Sequence, residues 1–235
     1  MSFLINPYIY AVAGGCSYIS ETDLVSYWKT DNSLTDEVGG NNGVFSGMSY
    51  DASPSVFSTS LGFSGASQSQ ADFGNSLDLQ SISAFTLSCW VYPNVVNSLA
   101  TVYDNYAGAA GPYRMFINSN QSTFQFTLGA TTLTCPANTA TVSTWHHVAM
   151  VMSSTSVASV YVNGTAYSIG ASSPSQSTIS HLIVGARKQT GVDAYNLHAD
   201  VNVEDMSYWG RALTQEEINE IYSGGTTTGC RTADY

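Results

Sequence analysis

The chain is short of charge, and of positive charge above all. Of its 235 residues only 10% are charged, 17 acidic against 6 basic, where an ordinary domain carries about 25%. The formal net charge of -11 comes with no run of lysine or arginine, so neither a nucleic-acid backbone nor an anionic lipid surface is an expected partner. No apolar run reaches the roughly 18 residues that a spanning helix needs, and no membrane helix is expected. The segment from Met1 to Cys16 is apolar but lacks a basic leading stretch, and Asn6-Pro7 interrupts it, so it is not read as a secretory signal. Ala13-Gly-Gly-Cys16 is similar to a lipoprotein cleavage box, yet Ala13 stands where a larger aliphatic residue is usual.

The four cysteines, Cys16, Cys89, Cys135 and Cys230, form no CxxC pair and no Cys/His ligand spacing, so zinc is not expected. Three disulfide connectivities remain open. Cys89 lies inside an apolar run and reads as a buried thiol, while Cys16 and Cys230 flank the main body and would meet if the chain ends lie together. Catalytic patterns are missing too. A glycoside hydrolase needs two carboxylates about 5 to 9.5 Å apart across a cleft, commonly alternating on one strand. No Glu-x-Asp-x-x-Glu run is present, and Glu204-Asp205, adjacent on a strand, face opposite sides. Gly62-Phe-Ser-Gly65 lacks the spacing of a nucleophile elbow, and phosphate loops and HExxH helices are absent.

What the chain does have is strand pattern. Trp145-His-His-Val-Ala-Met-Val-Met152 and Val157-Ala-Ser-Val-Tyr-Val162 are followed by Asn163-Gly164, a pair suited to the positive φ values of a type I′ hairpin turn, and then by Thr165 to Ile169. In Phe85 to Tyr92, Phe85, Leu87, Cys89 and Val91 share one face while Thr86, Ser88, Trp90 and Tyr92 share the other, the alternation of a half-buried strand. Further strands are expected at Leu24 to Trp28, Val56 to Phe63, Ser76 to Leu79, Ala100 to Tyr103, Tyr113 to Asn118, Thr123 to Leu128, His181 to Gly185 and Val203 to Trp209. Many short strands separated by Gly/Ser/Asn turns predict an all-β fold, a two-sheet antiparallel β-sandwich or jelly roll. One short C-terminal helix is signed by the capping box Thr214 and Glu217, the stripe Ile218, Ile221 and Tyr222, and the stop Gly224-Gly225. The organisation expected is an N-terminal attachment arm over 1–21, a sandwich over 22–225 and a polar tail over 226–235.

The order of elements resembles the laminin-G-like, or concanavalin-A-like, domain in the single-module form found in bacterial and phage proteins. The matching pieces are Leu24-Val-Ser-Tyr-Trp28 with Asp36 and Gly39 to Gly43; Leu61-Gly-Phe63 and Leu77-Asp-Leu79; Phe85 to Pro93; Trp145-His-His-Val148; Tyr161-Val-Asn-Gly164; Ile183-Val-Gly185; and Asp205 to Thr214 leading into Glu217-Ile218. Val201 departs from the glycine usual before the closing strand. Separately, Met-Ser-Phe-Leu-Ile-Asn-Pro-Tyr at the start is similar to the opening of some tailed-phage virion proteins. The resemblance implies a face-to-face pair of antiparallel sheets and a binding or structural role.

The functional expectation is a non-enzymatic virion structural or adhesive protein, a capsid decoration or tail-fibre component, with glycan binding on its loops. The alternative is a secreted, extracellular carbohydrate-binding lectin module, and a glycoside hydrolase ranks third. Phe3, Leu4, Ile5, Tyr8, Ile9 and Tyr10 make the arm apolar, a surface that other virion proteins in an oligomeric assembly would cover. Glycan candidates are loop aromatics with amides and carboxylates beside them: Asp104, Asn105, Tyr106, Tyr113, Arg114, Asp193, Tyr195 and Asn196. Sandwich lectins of this resemblance often hold Ca²⁺ through loop oxygens, and Asp31, Asp36, Asn41, Asn42, Glu204 and Asp205 are the candidate ligands, with Asx-turn building as the competing role of the same loop residues. His146 and His147 point to opposite faces and are expected to carry no joint chemistry.

Overall fold

The computed structural model describes residues 21–74, 84–96, 99–105, 113–154, 157–170, 181–188 and 194–224. The arm with its six apolar candidates, the tail, Tyr106, Asp193, Cys16, Cys230 and the strand expected at Ser76 to Leu79 lie outside them. In chain order the first strands are β1 (Leu24–Trp28), β2 (Val44–Ser46), β3 (Met48–Asp51), β4 (Ser60–Ser64), β5 (Gln70–Asp72) and β6 (Phe85–Pro93). There follow β7 (Ala100–Asn105), β8 (Tyr113–Asn118), β9 (Thr123–Leu128), β10 (Thr131–Thr134), β11 (His146–Ser154) and β12 (Val157–Val162). The last are β13 (Thr165–Gly170), β14 (Ile183–Val184), β15 (Arg187–Lys188), β16 (Tyr195–Asn196) and β17 (Asp200–Trp209), before helix α1 (Gln215–Ser223).

Two antiparallel sheets stack as the alternation predicts. One runs β13-β12-β11-β6-β17-β4-β3 with β1 also on β17; the other runs β10-β9-β8-β7-β14-β5-β2, and β15 and β16 form a small hairpin. Between the sheets sits a dry core in which Leu87, Cys89, Val91, Val148, Met150 and Val203 meet Val102, Met115, Ile117, Phe124, Phe126 and Leu128. The hairpin after β12 forms as its Asn-Gly pair demands, with φ of 50° at Asn163 and 74° at Gly164. Asn163 also ties the neighbouring strand, its side-chain oxygen accepting the His147 N–H at 2.9 Å.

One strand is buried more deeply than its alternation implied. Thr86, Ser88 and Trp90 of β6 are as buried as the residues facing the core, because β1 and α1 close the outer face of that sheet. A second cluster of Leu24, Tyr27, Ala149, Val151, Tyr161, Trp209, Leu213, Ile218 and Ile221 fills this layer. The helix is anchored by its capping box, with both reciprocal bonds between Thr214 and Glu217 formed, and by the pair of Arg211 Nη2 with Glu217 Oε1 at 2.6 Å.

The two histidines are part of this packing. His147 lies under the helix between Trp90 and Tyr222, with Nε2 at 2.7 Å from the Ser88 hydroxyl, and burial pushes its imidazole down to about 3. His146 sits on the inner side, edge-on to Phe124 and 3.1 Å from the Thr141 hydroxyl. Val201, where the family pattern has glycine, is a fully buried member of β17 opposite Phe63 and Pro93.

Candidate functional site

The outer face of the other sheet is covered beside β7 and β14, where Asp104 and Ile183 are 0% exposed under the β15–β16 hairpin, and is exposed over β9 and β10; its register lines up opposed residues strand after strand. Directly opposed residues of neighbouring strands share a face. Successive pairings run Val44–Asp72, Asp72–Ile183, Ile183–Asp104, Asp104–Arg114, Arg114–Thr127 and Thr127–Thr132. A second row runs Thr101–Phe116, Phe116–Gln125 and Gln125–Thr134. The strands alternate cleanly here, Tyr113, Met115 and Ile117 pointing into the core and Arg114 and Phe116 outward, which is why a polar face can stand on an apolar one.

At the centre of the first row Arg114 Nε donates to Asp104 Oδ1 at 2.7 Å, the Asp104 side chain being 0% exposed and that of Arg114 11%. Burial pushes the Asp104 carboxyl up to about 6, although the Arg114 charge and hydrogen bond, the Arg187 charge and the Lys188 amide pull the other way. Toward one side the Thr127 and Thr132 hydroxyls lie 3.1 Å apart, and Gln125 Nε2 donates to Thr134 Oγ1 at 3.2 Å. Toward the other, Asp72 Oδ1 is 2.8 Å from His181 Nδ1 and Asp72 Oδ2 accepts from the Tyr195 hydroxyl at 3.5 Å. The β15–β16 hairpin adds Lys188, whose Nζ stands 5.8 Å from the centre of the Tyr195 ring. The face therefore offers paired donors and acceptors on hydroxyl, amide, carboxylate and guanidinium groups, bordered by one aromatic ring.

The sequence candidates divide along this geometry. Asp104, Arg114, Tyr195 and Asn196 are brought to this sheet and the hairpin beside it, Asn196 pairing with Arg187. Asn105 and Tyr113 face inward and are each 1% exposed; the Tyr113 ring packs edge-on against Phe85, and its hydroxyl points to Met152 Sδ at 3.9 Å. These two are corrected to core residues, because adjacent strand positions alternate sides and neither can reach a ligand. Thr127, Thr132, Gln125, Thr134, Asp72 and His181 were missed, since no local motif marks a row assembled from six strands.

The residues proposed for Ca²⁺ spend their oxygens on the protein itself. Asp36 Oδ1 accepts the Tyr27 and Val38 amides at 2.9 and 3.0 Å, and Oδ2 accepts the Asn41 amide at 2.9 Å. Burial alone would raise the Asp36 carboxyl; the amides of Tyr27, Val38, Asn41 and Gly39 outweigh it and hold the group below its ordinary value. Asn42 Oδ1 takes the Asp36 amide at 2.8 Å, and Asn41 Nδ2 donates to Ser26. Asp31 lies half-buried at the start of the same loop. Glu204 takes the amides of Val56, Phe57 and Ser58 at 2.6, 3.0 and 3.2 Å, and Asp205 takes the Tyr27 hydroxyl. Among the described residues no group of three or more His, Cys, Asp or Glu is arranged to hold a metal ion. The hydrogen bonds of Asp36, Asn42 and Glu204 are those of loop-closing contacts.

The two-sheet architecture has counterparts elsewhere. The family model described as the concanavalin A-like lectin/glucanases superfamily matches residues 64–219. The chain belongs to this superfamily. No curated protein matches it in sequence. Among solved structures, domain 4 of a GH43 extracellular arabinanase from Geobacillus stearothermophilus, in complex with arabinotriose, superposes with a TM-score of 0.65 at 14% identity over 86% of this chain and 98% of that one. The binding domain of Paraclostridial Mosquitocidal Protein 1 gives 0.67 at 13% identity over 87% of this chain and 53% of that one. Trypanosoma rangeli sialidase in complex with sialic acid gives 0.65 at 18% identity over 94% of this chain. The chain spans 36% of that sialidase. At these identities the likeness is one of fold: this chain is a lectin-like β-sandwich.

Proposed function

We propose that the chain is a non-catalytic, carbohydrate-binding adhesive module whose ligand lies across the open face of the seven-stranded sheet. The observation that carries this reading is the double row of accessible polar side chains, Thr127 and Thr132 beside Gln125 and Thr134, flanked by the buried Arg114–Asp104 pair. Sugar hydroxyls come as neighbouring groups that both donate and accept, and they need partners that do the same at matched spacing. Thr and Gln side chains do both, and the Arg114–Asp104 pair sets a donor beside an acceptor. The arabinotriose-bound arabinanase domain supports a sugar as ligand class. The engagement of Glu204 by three amides and of Asp205 by Tyr27 supports binding over hydrolysis. The same loop geometry supports binding without Ca²⁺.

A glycan array on the full chain tests the reading, followed by calorimetry with the best hit. Gln125→Ala with Thr127→Ala, both at partly exposed positions, is expected to weaken binding at least tenfold while leaving the melting temperature within a few degrees. Silence on the array, or undiminished affinity in the double variant, refutes the site. Reducing ends released from the bound glycan would refute the non-catalytic part. For the setting we propose display on a particle, with the apolar segment Phe3, Leu4, Ile5, Tyr8, Ile9 and Tyr10 as its attachment; the alternative is a secreted lectin. Removing residues 2–20 should abolish co-sedimentation with the particle and preserve glycan binding; retained co-sedimentation refutes the attachment role.

A further inference from the structure

A concavity lies on the opposite sheet, at its β3–β4–β17 edge. It has a volume of about 300 Å³ and is lined by Gly47, Met48, Ser49, Asp51, Gly62, Phe63, Ser64, Asn94 and Asp200, a size at the lower end of small-molecule sites. Its floor is made by the absence of a side chain: a Cβ on Gly62 would stand 1.9 Å from Asp51 Oδ2 and 2.7 Å from Ser49 Oγ. Only glycine lets the side chains of β3 fold across β4 at that point. Behind the floor, Asn202 is 1% exposed and acts as a clamp. Its Nδ2 donates to Asp51 Oδ2 at 2.8 Å and to Ser60 Oγ at 3.0 Å, and its Oδ1 accepts from Asn94 Nδ2 at 2.9 Å. Ser49 Oγ donates to Asp51 Oδ1 at 2.8 Å, so the carboxylate is fixed in orientation from both sides. Asp200 stands on the other wall, its position set by its carbonyl, which accepts the Asn94 amide at 3.0 Å.

We propose that this groove is a ligand site for an amino sugar, independent of the glycan face on the other sheet. Two carboxylates and no lysine or arginine line it, so its formal charge is negative and its ligand groups are overwhelmingly acceptors. An ammonium supplies three donors and the opposite charge, and charge-assisted bonds are the stronger kind. An anionic sugar is repelled by the same pair. Met48 and Phe63, opposed on the core-facing side of the sheet, turn away from the ligand, and Ser49, Ser64 and Asn94 are the groups that meet sugar hydroxyls. A bare amine would leave those groups without partners. A divalent cation is a poorer match, since the lining holds two carboxylates and Ca²⁺ takes about six to eight oxygens.

Calorimetry of the full chain with D-glucosamine near neutral pH tests this, with D-glucose, N-acetylglucosamine and cadaverine as comparison ligands. Glucosamine is expected to bind at least tenfold more tightly than glucose, acetylation is expected to remove that preference, and cadaverine is expected to bind no better than glucose. Asp200→Asn, on a partly exposed side chain, should cost the preference about tenfold without loss of fold. Gly62→Ala should abolish binding by displacing Asp51. Equal affinities for glucosamine and glucose overturn the proposal. So does wild-type affinity in Asp200→Asn, and cadaverine binding as tightly as glucosamine overturns the assignment to a sugar.

Discussion

Replacing Glu204 with glutamine puts the loop-closing role of that carboxylate to a direct test. Glu204 is 0% exposed, and its two oxygens take three consecutive backbone amides, Oε2 from Val56 and Oε1 from Phe57 and Ser58. This holds the segment between β3 and β4 against β17 at the bulge where Asp205 adopts a φ of 53°. Glutamine fills the same volume but loses the charge, and its amide nitrogen would face one N–H donor to donor. A hydrogen bond to a charged group contributes about 1.5–3 kcal/mol and a stranded buried donor costs about 1–3 kcal/mol. Relief from burying a carboxylate offsets part of this, so a net loss of about 2–3 kcal/mol is expected. For a domain of this size each kcal/mol moves the melting temperature by about 2–4 °C, giving a fall of about 4–12 °C in a thermal melt followed by circular dichroism. A fall below about 2 °C, or a rise, refutes the reasoning. The same melt repeated with Ca²⁺ and with a chelator distinguishes the turn-building role from metal ligation. Equal curves for the wild type are expected; a Ca²⁺-dependent rise that Glu204→Gln removes would reinstate Glu204 as a ligand.

His147 sets a second, pH-dependent expectation. Its folded value is depressed to about 3 by burial, so the stability it contributes is present above about pH 6.5 and is lost as pH falls toward 3, with a slope of up to about 1.4 kcal/mol per pH unit. Asp104, raised by burial to about 6, acts in the opposite sense, its contribution being lost as pH rises from its ordinary value through 6. His147→Gln should therefore flatten the acid limb of stability between pH 6.5 and 4.5 in denaturant titrations, and an unchanged limb would exclude His147 as its source. Gly164→Ala should destabilise by about 1–2 kcal/mol, because the position has a φ of 74° and the added Cβ would stand 2.8 Å from Asn219 Oδ1; a neutral result in the same titration would contradict the turn assignment.

The parts of the fold that declare themselves locally were legible in the sequence. The β11 to β13 run carries its own period-two pattern and an Asn-Gly turn, and α1 carries a cap and an apolar stripe, so each could be placed without its neighbours. Strands β2, β3, β10, β15 and β16 could not. They are two to four residues long and rich in Ser, Thr, Asn or basic residues, and only the partner strand makes them strands. The strand expected over Val56 to Phe63 begins at Ser60 because the preceding amides turn toward Glu204. For the same reason Thr86, Ser88 and Trp90 passed for a solvated face: nothing in β6 itself tells that a helix more than a hundred residues later will cover them. The site shows the limit most plainly. Asp104 and Arg114 were each named as loop candidates beside a tyrosine, but the row that joins them runs from Asp72 to Thr132, and its register is a property of sheet pairing.

The two outer faces of the sandwich explain why the extended glycan row is assigned to one of them. On the β6–β11 side the polar side chains are sealed in, and Thr86 and Ser88 find their partners within the protein: Thr86 Oγ1 donates to the Arg211 carbonyl at 2.9 Å and accepts the Leu213 amide at 2.9 Å, and Ser88 bonds His147. Opening that face would expose the cluster around Trp209 and Ile218 and strand those groups, a cost no sugar contact repays. On the β9–β10 side polar groups pair with one another, Thr127 with Thr132 and Gln125 with Thr134, at distances of 3.1 and 3.2 Å. Such pairs exchange readily for ligand hydroxyls, because each lost bond is replaced in kind and little charge has to be desolvated. A surface with few ions is suited to a neutral, hydroxyl-rich ligand for that reason. The scarcity of positive charge, which argues against nucleic acid and anionic lipid as partners, and the accessible polar row on this sheet are thus two expressions of the same chemistry.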